Sequence, residues 1–350
     1  MRLSNLTYVP VFRYRAQERK ALTSTPISNK IIPLIELITK KLNKNSKKDS
    51  IDQLVEDIEN INTRIMLDFP MYIRMKNQTQ SSVIGFLTPI QADPNKRISI
   101  LKDPRLVNNK DKVIPVVTYN PNSPFVQGYL SNQEKQLRAY YDQLAFRIYP
   151  LHFDDAINEL PNIVRNGDIV LLDIDENSPT HSTYQRMYKI ISNLCNSIGI
   201  DCVLIRSAIP STIKNVDLQN GQIIFEADNS LLTQYKKLGF TAFGDYCGVK
   251  KDDLTTGGVI SPGYIFYSWK DNSYYGFKGV LKQATTFESI LVPAVLNSNV
   301  WSQYLNAHKT NCLGCSSIEK ISLKQKKGNA QPEWKGFACG HYLYTMEEFL

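Results

Sequence analysis

The chain has 350 residues, of which 42% are hydrophobic and 21% are charged, a composition typical of a folded globular protein. No apolar run approaches the roughly 18 residues of a membrane-spanning helix, and the first residues lack the apolar segment of a signal peptide, so we expect a cytoplasmic protein. The net charge of +8 comes from residues 1–50, which carry 11 basic and 3 acidic side chains (11 − 3 = +8). A local excess of this kind points to an anionic partner.

Short apolar runs rich in β-branched and aromatic residues alternate with helical patterns along most of the chain. The predicted strands are 8–14, 31–37, 64–69, 113–119, 144–149, 168–175, 201–207 and 240–246. The predicted helices are 50–61, 132–144, 153–164, 183–199 and 230–239. Near-continuously apolar strands that alternate with helices indicate a parallel sheet covered on both faces, and eight such units over about 250 residues predict an α/β fold of the (β/α)8 TIM-like barrel type. An open, doubly wound sheet is the alternative.

Two regions depart from this alternation. Residues 70–112 form a long connection with no clear helix, in which NKRISILK (95–102) is the one candidate, and such a length usually marks an insertion or a functional loop. Beyond residue 250, the segment 263–279 predicts an aromatic β-hairpin, followed by helices at 285–296 and 301–308. We therefore predict a barrel over residues 1–250 and a C-terminal extension over residues 251–350.

A polar residue stands near the C-terminal end of each predicted strand: Arg13, Glu36, Asp68, Thr118, Arg147, Asp173, Arg206 and Asp245. Barrel enzymes build their active sites at this end of the strands. One interpretation is a buried salt-bridge network that closes the barrel. The other is a ligand site, because charges that serve stability alone gain little over apolar packing.

The ligand-site interpretation assigns a role to each residue type. Carboxylates are candidate catalytic residues and ligands of Mg²⁺ or Mn²⁺, namely Glu36, Asp68, Asp173, Asp175 and Asp245. Arginines form bidentate hydrogen bonds with phosphate, and the candidates are Arg13, Arg15, Arg147 and Arg206. Together these residues would suit a metal-dependent phosphodiester reaction on a nucleotide or nucleic acid.

Residues in the loops after the strands complete the predicted site. His152 and His181 are candidate general acids or bases, although His181 follows Ser178-Pro179 and fits a helix start equally well. Tyr119 and Tyr246 could stack on a base or a sugar. Lys44 and Lys47 lie in the basic loop after the second strand, and we expect that loop to border the barrel mouth.

Five soft metal ligands cluster near the end of the chain: His308, Cys312, Cys315, Cys339 and His341. The Cys-x2-Cys spacing lets two thiolates reach one metal ion, and we predict a structural zinc site formed by Cys312, Cys315, Cys339 and His341. Free thiols are the alternative.

Several short motifs resemble the beta family proteins of bacteria and tailed phages. They are YVPVFRYRAQERKAL with KIIPLIEL near the start, AFGDYCGV (242–249), YSWKD (267–271), and Trp334 with KGFACGH before Tyr342. The resemblance spans nearly the whole chain and singles out Arg13, Glu36, Asp245, Tyr246, Trp269 and His341. Where the family often ends in a His-His pair, this chain has His341-Tyr342. The resemblance implies no particular reaction, but it suggests a role in phage–host conflict.

Three functions follow as hypotheses. The first is a barrel that binds an anionic, phosphate-containing ligand at its strand ends, with metal-dependent phosphodiesterase or nuclease-like chemistry as its enzymatic version. The second is a non-catalytic module that docks a protein partner through the aromatic hairpin around Trp269 and Tyr275. The third is a nucleic-acid-binding protein that uses the basic first 50 residues.

Overall fold

A closed barrel of eight parallel strands forms the centre of the molecule. The computed structural model describes residues 5–43, 45–251, 254, 261–283 and 285–350. The barrel strands, which pair in chain order, are β1 (Tyr8–Arg13), β2 (Leu34–Glu36), β3 (Ile65–Asp68), β4 (Val113–Thr118), β5 (Ala145–Ile148), β6 (Ile169–Asp173), β7 (Asp201–Ile205) and β9 (Ala242–Asp245). The predicted TIM-like barrel is thereby confirmed, and each predicted strand contains an observed one.

A second, antiparallel sheet lies beside the barrel. Its strands are β8 (Gln222–Ile223), β10 (Gly263–Ser268) and β11 (Ser273–Lys278), with β11 in the middle. Strands β10 and β11 form the predicted hairpin, and Asn272 in its turn has a φ of +47°. The hairpin gains its third strand from the long connection between β7 and β9.

Helices follow the barrel strands and cover them. They are α1 (Ala16–Ser24), α2 (Ser50–Asn60), α3 (Ser81–Ala92), α4 (Pro94–Leu101), α5 (Pro104–Val107), α6 (Tyr129–Leu137), α7 (Phe153–Ile163), α8 (Ser182–Ile198) and α9 (Leu231–Gln234). After the hairpin come α10 (Val292–Leu296), α11 (Asn299–Ser302), α12 (Asn306–Asn311), α13 (Leu313–Ser322) and α14 (Gln331–Phe349), with a 3₁₀ turn at Asn215–Asp217 and a π-helical turn at Phe287–Leu291. Among the helices of the described ranges, none has both the length and the apolar character that crossing a membrane requires.

The segment 70–112 differs from the expectation of a long connection without a clear helix, because it contains α3, α4 and α5. Helix α4 coincides with the candidate helix NKRISILK (95–102), whereas α3 and α5 were not expected. Two of these helices begin with an aspartate that caps the helix and a proline at the first helical position, Asp93-Pro94 and Asp103-Pro104. An aspartate cap followed by proline is a strong start signal even where the apolar pattern is weak.

Alternate residues of the strands fill the barrel interior. The inward-facing apolar side chains include Val9, Val11, Leu34, Met66, Ile114, Val116, Ala145, Ile169, Leu171, Val203, Ile205 and Ala242. Because side chains alternate along a strand, the next inward positions toward the C-terminal ends are Arg13, Glu36, Asp68, Thr118, Arg147, Asp173 and Tyr246. The sequence therefore places a polar layer directly above an apolar one.

The last helix, α14, lies between two hydrophobic cores. One side of it packs with the barrel core through Cys339, Tyr342, Leu343 and Met346. Trp334, Phe337 and Ala338 pack instead with the hairpin and α10–α13. Helix α14 also runs along α1, so it covers the seam between β9 and β1 as the last helix of the barrel layer. The predicted boundary at residue 250 separates the barrel strands from the later elements, but the chain returns to the barrel at its end.

Candidate functional site

Arg147 is the centre of a fully buried charge network at the C-terminal end of the barrel. Its Nη1 donates to Glu36 Oε1 at 2.8 Å and to Asp68 Oδ2 at 2.9 Å, and its Nη2 donates to Asp173 Oδ2 at 2.6 Å. Arg147, Glu36 and Asp68 have no solvent exposure, and Asp173 has 1%. Four of the predicted site residues are thus brought into direct contact.

A layer of tyrosines lies against this network. The Tyr72 hydroxyl lies 2.9 Å from both carboxylate oxygens of Glu36, and the Tyr246 hydroxyl donates to Tyr72 at 2.9 Å. Arg13 Nε lies 3.7 Å from Glu36 Oε2. The three carboxylates therefore have buried partners, as the interpretation as a closing salt-bridge network requires.

The pKa values of Asp68 and Asp173 are shifted in opposite directions. Burial raises the pKa of Asp68, and Arg147 only partly opposes it. Burial would also raise the pKa of Asp173, but Arg147 and Lys251 together hold it below its usual value. The ionised form is therefore more strongly favoured for Asp173 than for Asp68.

A cavity of about 640 Å³ opens above the charge network. Its lining includes Arg13, Tyr72, Arg74, Lys76, Tyr149, Asp173, Asp175, Glu176, Tyr184 and Lys251. Lys251 Nζ lies 2.5 Å from Asp175 Oδ1 and 3.7 Å from the centre of the Tyr72 ring. This cavity, which we call the mouth cavity, has the volume of a small-molecule site and lies where barrel proteins bind their ligands.

Two of the predicted strand-end residues do not face this cavity. Asp245 accepts hydrogen bonds from Tyr8 at 2.6 Å and from Tyr342 at 2.5 Å, between the barrel and α14. Arg206 donates to the carbonyl oxygens of Asn177 and Asp228 at 2.8 and 2.6 Å. Both residues stand one position out of phase with the inward-facing set, because side chains alternate along a strand. Burial raises the pKa of Asp245 although both tyrosines donate to it.

The predicted histidines and Tyr119 occupy helix starts and packing positions. His152 precedes α7 with a φ of +60°, and its ring lies near Tyr119 and Phe125. His181 is the N-cap of α8, where its Nδ1 accepts from the Thr183 amide at 3.3 Å. The Tyr119 hydroxyl donates to the carbonyl oxygens of Tyr149 and Leu151. The alternative interpretation of His181 as a helix start is confirmed.

Three basic residues of the first 50 positions, Arg15, Lys40 and Lys41, line a different cavity. Arg15 forms two hydrogen bonds with Glu18 and lines a cavity of about 760 Å³ together with Lys40 and Lys41. Lys47 is exposed and does not line the mouth cavity. Lys44 lies outside the described residues. The described part of the basic loop therefore borders a second cavity and not the mouth cavity.

A separate cluster of four buried side chains could hold a metal ion such as zinc. It consists of His308, Cys312, Cys315 and His341, whose candidate ligand atoms all lie within 4.8 Å of one another. It is the one such group found among the described residues, so the Mg²⁺ or Mn²⁺ at the barrel mouth stays a prediction.

The predicted metal set is corrected at one position, where His308 takes the place of Cys339. Residues two apart on an α-helix point about 200° away from each other, so Cys339 and His341 of α14 cannot face the same ion. Cys339 packs with the barrel core, and its carbonyl oxygen lies 3.6 Å from Cys247 Sγ. All six cysteines are buried, and none of them forms a disulfide bond.

The sequence analysis missed Tyr72 and Lys251 at the mouth cavity. Both lie in segments after strands, where no periodicity marks the direction of a side chain. For His308 a signal was present, because the spacing His-x3-Cys-x2-Cys brings it close to both cysteines across one helix start.

Comparison with known proteins gives a match to one family. Residues 8–347 match the family model described as Beta protein, which confirms the resemblance carried by the short motifs. Among curated proteins, no match is found.

Proposed function

The chain belongs to the Beta protein family, and from the geometry of the barrel mouth we propose that it binds a small ligand carrying a phosphate or a similar anionic group. The observation that carries this proposal is the mouth cavity of about 640 Å³, with Lys251 packed against Tyr72 in its wall. A cavity of this size, at the carboxyl ends of barrel strands, fits a ligand of nucleotide size.

Polar groups in the cavity wall support recognition of a sugar phosphate or nucleotide. The side chain of Lys251 is 10% exposed, and Arg74 is exposed at the rim, where its Nε donates to Asn122. The rings of Tyr72, Tyr149 and Tyr184 also line the cavity, and the buried hydroxyl of Tyr149 has no hydrogen-bond partner among the described residues. Tyrosine rings offer faces on which a base or a sugar can stack.

The charges around the cavity favour a small ligand over a long polyanion. The charged residues that line the cavity are Arg13, Arg74, Lys76 and Lys251 against Asp173, Asp175 and Glu176. The buried network beneath adds Arg147 against Glu36 and Asp68, which makes five basic and five acidic residues in all. A balanced set creates no broad positive field, so an anion must be bound by local geometry. We therefore favour a nucleotide over a nucleic acid at this site.

A metal-dependent phosphodiester reaction is the enzymatic version of this proposal. Asp173 and Asp175 line the cavity and would have to hold the cation. Asp173 already bonds Arg147 and Asp175 already bonds Lys251, so each would exchange a cationic side chain for the metal. Binding is therefore better supported than hydrolysis, and a role in phage–host conflict rests on the resemblance alone.

Calorimetric titration with adenosine 5′-monophosphate and with inorganic phosphate tests the proposal. We expect the nucleotide to bind, and Lys251→Met to weaken binding by about tenfold or more, since a hydrogen bond to a charged group contributes roughly 1.5–3 kcal/mol. Lys250→Met is the matched control, because that lysine bonds the Ile213 carbonyl and lines a different cavity.

Two results would overturn the proposal. One is that neither probe binds the folded protein. The other is that Lys250→Met weakens binding as much as Lys251→Met does. Release of nitrophenol from bis(p-nitrophenyl) phosphate, with and without Mn²⁺, tests the enzymatic version separately.

A further inference from the structure

The candidate ligand atoms of His308, Cys312, Cys315 and His341 all lie within 4.8 Å of one another. His341 Nδ1 lies 3.3 Å from His308 Nε2, 3.6 Å from Cys312 Sγ and 3.5 Å from Cys315 Sγ. Bond lengths of about 2.3 Å for zinc–sulfur and about 2.0–2.1 Å for zinc–nitrogen give tetrahedral N–N and N–S edges of roughly 3.4 to 3.6 Å. The three distances from His341 Nδ1 agree with these edges.

The second nitrogen of each imidazole has a fixed acceptor. His308 Nδ1 lies 2.5 Å from Glu348 Oε2, and His341 Nε2 lies 2.9 Å from the Tyr267 carbonyl oxygen. These contacts leave Nε2 of His308 and Nδ1 of His341 as the atoms that face the thiols. Histidines that bind metal ions almost always donate their other N–H to a carboxylate or a carbonyl in this way.

The local backbone is built for close approach of the two cysteines to His341. Cys312 is the N-cap of α13, and its Sγ lies 3.4 Å from the Cys315 amide nitrogen. A Cβ atom on Gly314 would lie 2.3 Å from the Phe337 carbonyl oxygen, so only glycine lets α13 approach α14 this closely. His341 is also held by its stacking on Phe266 at 4.1 Å.

We propose that His308, Cys312, Cys315 and His341 bind one zinc ion in a closed, structural site that fixes the last barrel helix against α12 and α13. The site provides four protein ligands, all of them buried, whereas a catalytic zinc keeps a coordination position for water. Its position explains its role, because Tyr342, the residue after His341, donates to Asp245 at the end of β9. The ion thus connects α12 and α13 to the barrel through α14.

Metal analysis of the full chain, purified without a metal-affinity step, tests this proposal. We expect one zinc per chain, and after exchange into cobalt we expect the visible absorption of a tetrahedral site with a thiolate charge-transfer band. Cys315→Ser and His308→Ala should each lose the metal. Cys339→Ser is the matched control, since it changes a buried thiol two residues from His341 and should retain one zinc.

Wild-type protein with no zinc, which also fails to take up zinc or cobalt, would overturn the proposal even if every variant misfolds. A chain in which Cys339→Ser loses zinc as fully as Cys315→Ser would overturn the ligand set. For the structural role, a strong chelator should lower Tm by several degrees and accelerate hydrogen exchange in residues 306–349 before it does so in the barrel strands. Unchanged exchange after zinc removal would contradict that role.

Discussion

The barrel mouth and the cysteine–histidine cluster are both buried groups of ionisable side chains, but their polar atoms find partners in different ways. At the mouth, one arginine lies between three carboxylates and bonds each of them directly. In the cluster, the four donor atoms face one another at metal-ligand spacing, and the outer imidazole nitrogens are the ones that bond to Glu348 and Tyr267. The mouth carries its own counter-charge, whereas the cluster has the arrangement of a set of ligands around an ion.

Removal of Arg147 gives the largest effect that this comparison predicts. Arg147→Met would leave Glu36, Asp68 and Asp173 buried without their shared cation, and breaking a buried ion pair on one side costs about 3–5 kcal/mol. Urea unfolding at neutral pH measures the free energy of unfolding.

Arg74→Met is the control for the Arg147 experiment. Arg74 is exposed at the rim of the same cavity, so its replacement should change the free energy of unfolding by less than about 0.5 kcal/mol. If Arg147→Met lowers the free energy of unfolding as little as Arg74→Met does, the buried network does not depend on Arg147 for its stability.

Glu348 tests the other side of the comparison. Glu348→Gln removes the carboxylate charge beside His308 Nδ1 and leaves the four proposed ligands in place. Loss of such an outer partner typically costs about 10- to 100-fold in metal affinity. Competition with a zinc chelator of known affinity measures the change.

The neighbouring Glu347→Gln provides a matched comparison for Glu348→Gln. Glu347 accepts from Ser28 instead of from a histidine, so its replacement should leave the zinc affinity unchanged. If the Glu348→Gln chain has wild-type zinc affinity, the contact between Glu348 and His308 Nδ1 does not contribute to zinc binding.

Acid titration separates the contribution of Asp173 from the rest of the mouth. Arg147 and Lys251 hold the pKa of Asp173 below its usual value, so its ionised form stabilises the fold above about pH 4. This contribution is lost as the pH falls through the lowered pKa of the folded state. Asp173→Asn should therefore lower the free energy of unfolding by roughly 1–2 kcal/mol at pH 7, with a smaller difference from wild type below pH 4. A difference that stays constant between pH 7 and pH 3 would contradict this assignment.

The barrel could be predicted from the sequence because each strand is short, apolar and separated from the next by a helical pattern. The side-chain direction at the strand ends could not be read from aligned apolar runs alone. Arg206 and Asp245 are one position out of phase with Arg13, Glu36 and Asp173, and only the parity of the inward-facing residues shows it. Both faces of each strand are apolar, so the sequence alone does not show which of the two parities faces the barrel interior.

The metal set shows a similar limit. Spacing identified the cluster, but the choice between Cys339 and His308 required the orientation of α14, which places Cys339 in the barrel core and His341 beside His308, Cys312 and Cys315. Lys251 and Tyr72 reach the mouth from segments after strands, and no local pattern predicts where such segments return. Tertiary packing decides both cases.

The basic loop after β2 provides the smallest predicted effect, because its described charges are exposed. Lys47→Ala should change the free energy of unfolding by less than about 0.5 kcal/mol, since Lys47 is solvent-exposed. It should also leave nucleotide binding at the mouth cavity unchanged, because Lys47 does not line that cavity.

Titration of a fluorescent single-stranded oligonucleotide at several salt concentrations tests whether the basic loop binds a different anionic partner. If Lys47→Ala weakens oligonucleotide binding and lowers its salt dependence while the nucleotide affinity stays constant, the two anionic partners bind to different surfaces. If it weakens nucleotide binding tenfold, the ligand extends from the mouth over the loop, and the small-ligand proposal must yield to the nucleic-acid hypothesis.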